Sequence, residues 1–312
     1  MDNIIFSANI VLPLLVVMIA GNLTKRIGLL DEKSISSGNN LVFKIFLSTL
    51  VFCNIYSSDF ANLKAVGLFS YVAIMIILSF AVSTVFAVLF EKENKRRGVM
   101  VQGLARTNYA MLGIPLLGLL FEGQDVALGS LLVAVVIPLY SIFTVAALTY
   151  FGSKNSSFKS IMKSIFKNPL IIGSILGLSF AFLGIKIPGF LYDGLVQVGS
   201  IATPLALFLL GATFEMKAIK NVMRPLIAVL LGRLFILPAI AVGIGAMLGF
   251  RDIELGCILI TFAAPTAATS YTMAVQMGGD GELASTIVIF TSAFCMFSLF
   301  LFILALKTFA LI

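Results

Sequence analysis

Long apolar runs without a charged residue dominate this sequence. Four of them contain about 20 or more uncharged residues each, within 4–23, 64–90, 126–151 and 284–306. A helix of that length crosses a hydrocarbon core about 30 Å thick. Only 11% of the residues are charged, roughly half the fraction that is usual in soluble domains. The sequence therefore predicts an all-α integral membrane protein.

The pattern of apolar runs and basic loops predicts ten transmembrane spans. The expected spans are about 4–23, 38–56, 64–90, 98–120, 126–151, 168–184, 194–213, 222–249, 253–277 and 283–308. When Arg224 and Lys64 at the span edges are counted with the loops, odd-numbered loops hold 14 of the 21 lysines and arginines, and even-numbered loops hold three. Because basic loops stay in the cytoplasm, both termini are expected outside the cell membrane. This bias also explains the basic composition, so we expect no nucleic-acid partner.

Several classes of chemistry lack the residues that they need. The chain has no histidine and no G-x-x-x-x-G-K-[ST] motif, which argues against histidine catalysis, histidine metal sites and ATP as the energy source. Cys53, Cys257 and Cys295 lie singly in apolar runs and are interpreted as packing residues. An intramembrane enzyme is therefore disfavoured, and we expect no cofactor and no metal site.

The two halves of the chain resemble each other at an offset of 155 residues. GQDVALGSLLVA at 123–134 matches GGDGELASTIVI at 278–289, and the same offset aligns span three with span eight. Since each half has five spans, the second half enters the membrane from the opposite side. Inverted repeats are typical of secondary transporters with a midplane site. The predicted units are 1–151 and 168–312, joined by a cytoplasmic loop at 152–167.

Spans four and nine, which this repeat pairs, both contain a helix-breaking proline. Gly113 and Pro115 interrupt span four, and Pro265 interrupts span nine. Proline removes a backbone donor and blocks the helix, and the freed groups need a protein or water partner in the membrane. We expect two broken helices that cross, with new half-helices starting at Pro115 and Pro265. Their bare N–H groups would suit an anion. A plain proline kink is the structural alternative.

Two arginines are predicted to lie deep in the membrane. Arg106 lies eight residues inside span four and Arg233 lies at a similar depth in span eight, whereas no Asp or Glu lies deep in any span. An intramembrane arginine suggests a functional site and a partner, and here the partner could be an anionic substrate. Alternatively, Arg106 caps carbonyls at a helix break or reaches Glu122 or Asp280. For Arg233 a structural role is favoured over substrate contact.

Polar side chains surround the two predicted breaks, and Asn108 stands out between Arg106 and the glycine–proline break. An amide offers donors and acceptors without a buried charge. The remaining candidates could bind substrate or join helices; they are Tyr109, Thr266, Thr269, Ser270 and Gln276.

These residues resemble the auxin efflux carrier family over the whole chain. The resemblance rests on Arg106-x-Asn108 with Gly113-x-Pro115, on AAPTAATSYTMAVQMGGD at 263–280, and on Arg233 with Pro238. It implies a scaffold of spans 1, 2, 6 and 7, a transport part of spans 3–5 and 8–10, and a fold similar to bile-acid and NhaA-type carriers. A homodimer through the scaffold helices is expected.

The resemblance implies organic-anion substrates, such as auxin, malate or malonate. Two departures matter: FLSTLVF at 46–52 lacks the usual proline of span two, and the long cytoplasmic loop of plant carriers is missing. The expected function is secondary transport of a small organic anion. A sodium/proton antiporter of the same fold and an anion channel are the alternatives, and the coupling ion, proton or sodium, is left open.

Overall fold

The described part of the chain is helical. The computed structural model describes residues 16–57, 66–109, 117, 120–121, 127–152, 166–213 and 219–312. Within these residues there is no β-strand, and Thr107 and Thr266 form an isolated antiparallel bridge. The prediction of an all-α protein is confirmed for this part of the chain. Gly113, Pro115 and Glu122 lie outside it.

Eleven helices are numbered in chain order. They are α1 (16–26), α2 (Glu32–Tyr56), α3 (Val66–Phe90), α4 (Asn94–Ala105), α5 (Ala127–Gly152), α6 (Pro169–Phe182), α7 (Gly189–Thr213), α8 (Ile219–Met247), α9 (Asp252–Ala263), α10 (Thr269–Gln276) and α11 (Gly281–Thr308).

Six helices among the described residues are long and apolar enough to cross a membrane: α2, α3, α7, α8, α11 and the Leu131–Gly152 part of α5. Their outward faces are apolar as well. Helix α3, for example, exposes Ile74, Leu78 and Val82, which share one face because they are four residues apart. A helix that is apolar all round is buried in protein or lipid. The chain is therefore a multi-pass membrane protein, and the count of ten spans in an inverted repeat stays a prediction.

Two helices begin earlier than the apolar pattern predicts. Helix α2 begins at Glu32 instead of 38, because the Asp31 carboxylate accepts a hydrogen bond of 2.7 Å from Ser34 N and caps a polar first turn. Helix α7 begins at Gly189 instead of 194, directly after Pro188. Caps and prolines fix helix starts independently of hydrophobicity.

Helices α2 and α8 each contain one π-helical turn. These turns span Val42–Phe46 and Gly232–Ile236. A π-turn inserts one extra residue into the helix and often marks a functional site. The second of them contains Arg233, one of the two predicted deep cations.

The break in the predicted ninth span is longer than expected. Helix α9 ends at Ala263 and α10 begins at Thr269, so the expectation that the helix restarts at Pro265 is wrong. Ala264 has extended angles, with φ −59° and ψ 151°. Pro265 O accepts a hydrogen bond from Asn108 N. A tertiary contact therefore holds this segment out of the helix.

Neighbouring helices pack closely against one another. Helix α2 packs on α6 and α7, α4 on α3 and α5, and α8 on α9 and α11. Glycines allow the closest approach: a side chain at Gly21 of α1 or Gly211 of α7 would overlap the backbone of the other helix. Small residues at such contacts are the usual means of bringing membrane helices together. Cys53, Cys257 and Cys295 are buried and free.

Candidate functional site

The ends of α4 and α9 meet in the interior. Helix α4 ends at Ala105, and Arg106 is extended, with φ −89° and ψ 125°. Asn108 N donates a hydrogen bond of 2.8 Å to Pro265 O, next to the antiparallel bridge of Thr107 with Thr266. Two short extended segments thus run side by side where two helices stop.

Side-chain hydroxyls bind several of the carbonyls that these helix ends leave open. Thr266 Oγ1 donates to Gly103 O at 2.9 Å. Tyr140 OH on α5 donates to Thr261 O at 3.1 Å and accepts from Thr107 Oγ1 at 3.1 Å. Inside a membrane an unpaired carbonyl costs several kcal/mol. These hydroxyls therefore stabilise the irregular backbone at the two breaks.

Arg233 binds carbonyls of both helix ends. Its side chain is fully buried, at 0% exposure. Nη1 donates to Leu104 O at 2.9 Å, while Nη2 and Nε donate to Ala264 O at 2.7 and 3.2 Å. The planar guanidinium presents its N–H donors in a rigid fork, which suits simultaneous binding of two carbonyls. The structural role that the sequence favoured for Arg233 agrees with these contacts.

Arg106 has much weaker partners than Arg233. Its side chain is 7% exposed. Nη2 donates to Thr269 Oγ1 at 3.1 Å, and Nη1 contacts Met273 Sδ. A thioether is a weak acceptor, and no carboxylate of the described residues lies within ion-pair distance of this guanidinium. The charge of Arg106 is therefore only partly compensated.

Arg106 faces a cavity of about 230 Å³. Both helix breaks, α5, α2 and α7 contribute to its wall. The lining residues are Leu47, Leu50, Val51, Asn54, Arg106, Thr107, Asn108, Tyr109, Ile137, Tyr140, Ser141, Thr203, Ala267 and Thr269. Among these described residues, Arg106 is the one charged side chain. The lining residues from α2 are mainly apolar, and those from the two breaks are mainly polar.

The start of α10 adds backbone donors to the same wall. Ala268 is the N-cap residue and offers no side-chain cap. In the described structure no acceptor is found for the N–H groups of Ala267, Ala268 and Thr269. Such groups carry partial positive charge and attract anions. Ala267 and Thr269 line the cavity, beside the Arg106 guanidinium.

Apart from Arg233, the predicted site residues that the structure describes divide into three groups. Arg106, Asn108, Tyr109 and Thr269 line the cavity; of these, Tyr109 also anchors its segment to α5 through its hydroxyl, 2.7 Å from Gly129 O. Pro265, Thr266 and Ser270 are not among the lining residues. Pro265 and Thr266 make contacts between the breaks, and Ser270 O accepts from Gln102 Nε2 at 3.0 Å.

Gln276 and Asp280 lie elsewhere. Gln276 ends α10, about 10 Å along the helix from Thr269, and does not line the cavity. Asp280 accepts a hydrogen bond of 2.9 Å from Arg96 Nε and caps α11 through Leu283 N at 2.9 Å. The alternative in which Arg106 pairs with Asp280 is therefore wrong.

Sequence reasoning missed several lining residues. Tyr140 and Ser141 lie within an apolar run, two and three residues after Pro138 of α5. A proline followed by polar side chains in such a run is a signal from which they could have been predicted. Thr203 could also have been predicted, because the repeat offset aligns it with the polar residue Ser48. Met273, which contacts Arg106 but is not among the lining residues, had no signal, since an apolar side chain gives no indication that a guanidinium will contact it.

Comparisons with known proteins agree with this architecture. A family model described as a membrane transport protein matches residues 6–303. An uncharacterised transporter of Methanocaldococcus jannaschii is 24% identical over 299 residues, which cover 92% of this chain and 95% of the relative. An uncharacterised transporter of Methanothermobacter thermautotrophicus is 24% identical over 305 residues, 94% of this chain and 96% of the relative.

Among solved structures, a sodium proton antiporter of Methanocaldococcus jannaschii, determined at pH 8, has a similar fold. The TM-score is 0.68 at 12% sequence identity, over 96% of each chain. At this identity the likeness concerns the fold and not the transported ions.

Proposed function

Because the chain belongs to the membrane transport protein family that includes the auxin efflux carriers, we propose that it is a secondary transporter of small organic anions. The observation that carries this proposal is the Arg106 guanidinium, which is buried at a cavity and held by one hydroxyl and one thioether among the described residues. A bound anion would supply the missing counter-charge.

Electrostatics favour an anion over a cation in this cavity. The guanidinium and the bare N–H groups at the start of α10 are all donors, and charge-assisted hydrogen bonds are about twice as strong as neutral ones. No described carboxylate lines the cavity. Exchangers of sodium and protons rely on deep carboxylates, so the antiporter alternative has less support from these residues.

The cavity walls suit an amphipathic anion. Arg106 and Asn108 offer a charged fork and an amide to a carboxylate, whereas Leu47, Leu50 and Val51 offer an apolar surface. The volume of about 230 Å³ is below the usual range for drug-sized ligands, about 300–1,000 Å³. Within the organic anions, a small monocarboxylate with an apolar body matches one cation better than malate or malonate does.

We further propose that transport proceeds by alternating access in a ten-span inverted repeat. Two pairs of corresponding helices begin within the described residues. Helices α2 and α7 begin at Glu32 and Gly189, 157 residues apart, and α4 and α9 begin at Asn94 and Asp252, 158 residues apart. The cavity lies between α2 and α7, of the proposed scaffold, and the two breaks of the proposed transport part. Movement of the breaks along that boundary would carry the anion across the membrane.

The direct test is uptake by purified protein in proteoliposomes. A panel of labelled monocarboxylates, dicarboxylates and sodium should yield saturable uptake of a carboxylate, with small monocarboxylates preferred on the charge and size arguments. Imposed pH and sodium gradients identify the coupling ion. Saturation separates a carrier from an anion channel, and uptake of sodium without any carboxylate would replace this proposal by the antiporter.

A further inference from the structure

The carbonyl groups that bind Arg233 have the arrangement of a cation site. Leu104 O belongs to the last turn of α4, and Ala264 O directly follows α9. The C-terminal end of a helix carries a partial negative charge from its open carbonyls. Two such ends converge on one guanidinium. In broken-helix transporters, half-helix C-termini and unwound carbonyls are the groups that coordinate a free monovalent cation.

We infer that Arg233 is a tethered cation that permanently fills this carbonyl site, so that the protein needs no sodium or potassium ion between its two helix breaks. This inference rests on the proposed function only in treating the breaks as the moving wall of a carrier; the cation site itself is independent of the substrate.

The surroundings of Arg233 support permanent occupancy. The side chain has no exposed surface, and it is absent from the cavity wall where Arg106 lies. Its Nε, Nη1 and Nη2 each donate a hydrogen bond to a backbone carbonyl. No described carboxylate lies within 4.0 Å of it, so carbonyl dipoles offset the charge in place of a counter-ion.

The local backbone is built to deliver this guanidinium. The π-helical turn Gly232–Ile236 displaces Arg233 from the regular helical register. At Gly232 a Cβ would lie 2.5 Å from Leu104 Cδ2, so the glycine leaves room for the Leu104 side chain against α8. From this turn the guanidinium reaches both helix ends. A covalently held cation cannot cross the membrane, so it stabilises the breaks in every step without being transported.

The test removes the guanidinium and offers free cations instead. Purified Arg233→Ala should have a lower Tm than wild type in choline chloride, and sodium, potassium or low-millimolar guanidinium should restore part of the loss. Arg233→Gln, which keeps an N–H donor without the charge, should show the same cation dependence from a smaller initial loss. Wild-type protein should show no difference between sodium, potassium and choline at equal ionic strength.

The matched control is Arg224→Ala. Arg224 is an exposed cation of the same helix, 4.7 Å from the centre of the Phe90 ring, and its loss should create no cation dependence. A sodium- or potassium-specific rise in the Tm of wild type would overturn the inference, even if neither Arg233 variant folds. So would folded Arg233 variants whose Tm responds equally to choline and to the small cations.

Uptake distinguishes failure of this inference from failure of the proposed function. If wild type transports a carboxylate equally well in sodium, potassium and choline, both stand. Sodium-dependent carboxylate uptake contradicts the tethered cation alone. If no carboxylate is transported, the proposed function fails, and the thermal measurements still decide the role of Arg233.

Discussion

Two buried arginines with the same charge have different partners in this protein. Arg233 donates to carbonyls of both helix ends, whereas Arg106 has Thr269 Oγ1 and Met273 Sδ. We expect Arg106→Ala to weaken carboxylate binding by about 10- to 150-fold, because a hydrogen bond to a charged group contributes about 1.5–3 kcal/mol. Titration of the purified variant gives the Kd directly.

Arg106→Lys tests whether the fork geometry matters as well as the charge. A lysine supplies a point charge without a planar pair of donors, so it should restore only part of the affinity. Arg224→Ala, at an exposed position, serves as the control and should bind like wild type. An Arg106→Ala variant with wild-type Kd and uptake would remove the main support for an anion site here.

Tyr140 connects three elements through one hydroxyl. It donates to Thr261 O of α9 and accepts from Thr107 Oγ1 beside α4, while its own backbone belongs to α5. Tyr140→Phe leaves a buried carbonyl unpaired, which costs about 1–3 kcal/mol, so the Tm should fall. Tyr150→Phe on the same helix is the control, since Tyr150 is 49% exposed. Equal Tm values for both variants would contradict the role of this hydroxyl.

At the scale of the helices, the structure changes the expectation for Pro265. A break that consisted of one proline would close in Pro265→Ala, and the bare N–H groups would disappear. Here the non-helical segment runs from Ala264 to Ala268, and its bond from Asn108 N uses the Pro265 carbonyl. Alanine keeps that carbonyl. We therefore expect the Kd of Pro265→Ala to change by less than about twofold, or about 0.4 kcal/mol.

Calorimetric titration of Pro265→Ala against wild type provides this comparison. A loss of binding of tenfold or more would mean that the proline itself keeps α10 from joining α9. Thr269→Ser is a useful companion, because it keeps a hydroxyl for Arg106 Nη2 and should also bind like wild type.

The same elements explain how far the sequence can predict this site. Apolar length and composition predicted an all-α membrane protein, but not the starts of α2 and α7. Arg106, Asn108 and Thr269 were predicted from the rarity of polar groups in such runs. The extent of the break was not predicted, because Asn108 N and Arg233 fix it from other parts of the chain. The pairing of Asp280 with Arg106, one of the alternatives left open by the sequence, is wrong, because the contacts of Asp280 with Arg96 and Leu283 N depend on tertiary geometry.

At the scale of the whole molecule, the repeat makes a prediction about the two sides of the membrane. The loop between α3 and α4 contains Lys92, and the corresponding loop between α8 and α9 contains Arg251. An inverted repeat places these loops on opposite sides, whereas a parallel repeat places them on the same side. The charge bias adds a direction: the first loop, with Arg96 and Arg97 close by, should be cytoplasmic.

Single cysteines at these loops test the topology of the whole chain. Lys92 and Arg251 are exposed, so a cysteine at either position is accessible to a reagent. The native Cys53, Cys257 and Cys295 are buried, and replacing these three by serine or alanine removes any background labelling. A membrane-impermeant maleimide added to intact cells should label Arg251→Cys but not Lys92→Cys. Inside-out vesicles should give the reverse. Both positions labelled from one side would contradict the inverted repeat, and the exchanged pattern would place both termini in the cytoplasm while leaving the repeat intact.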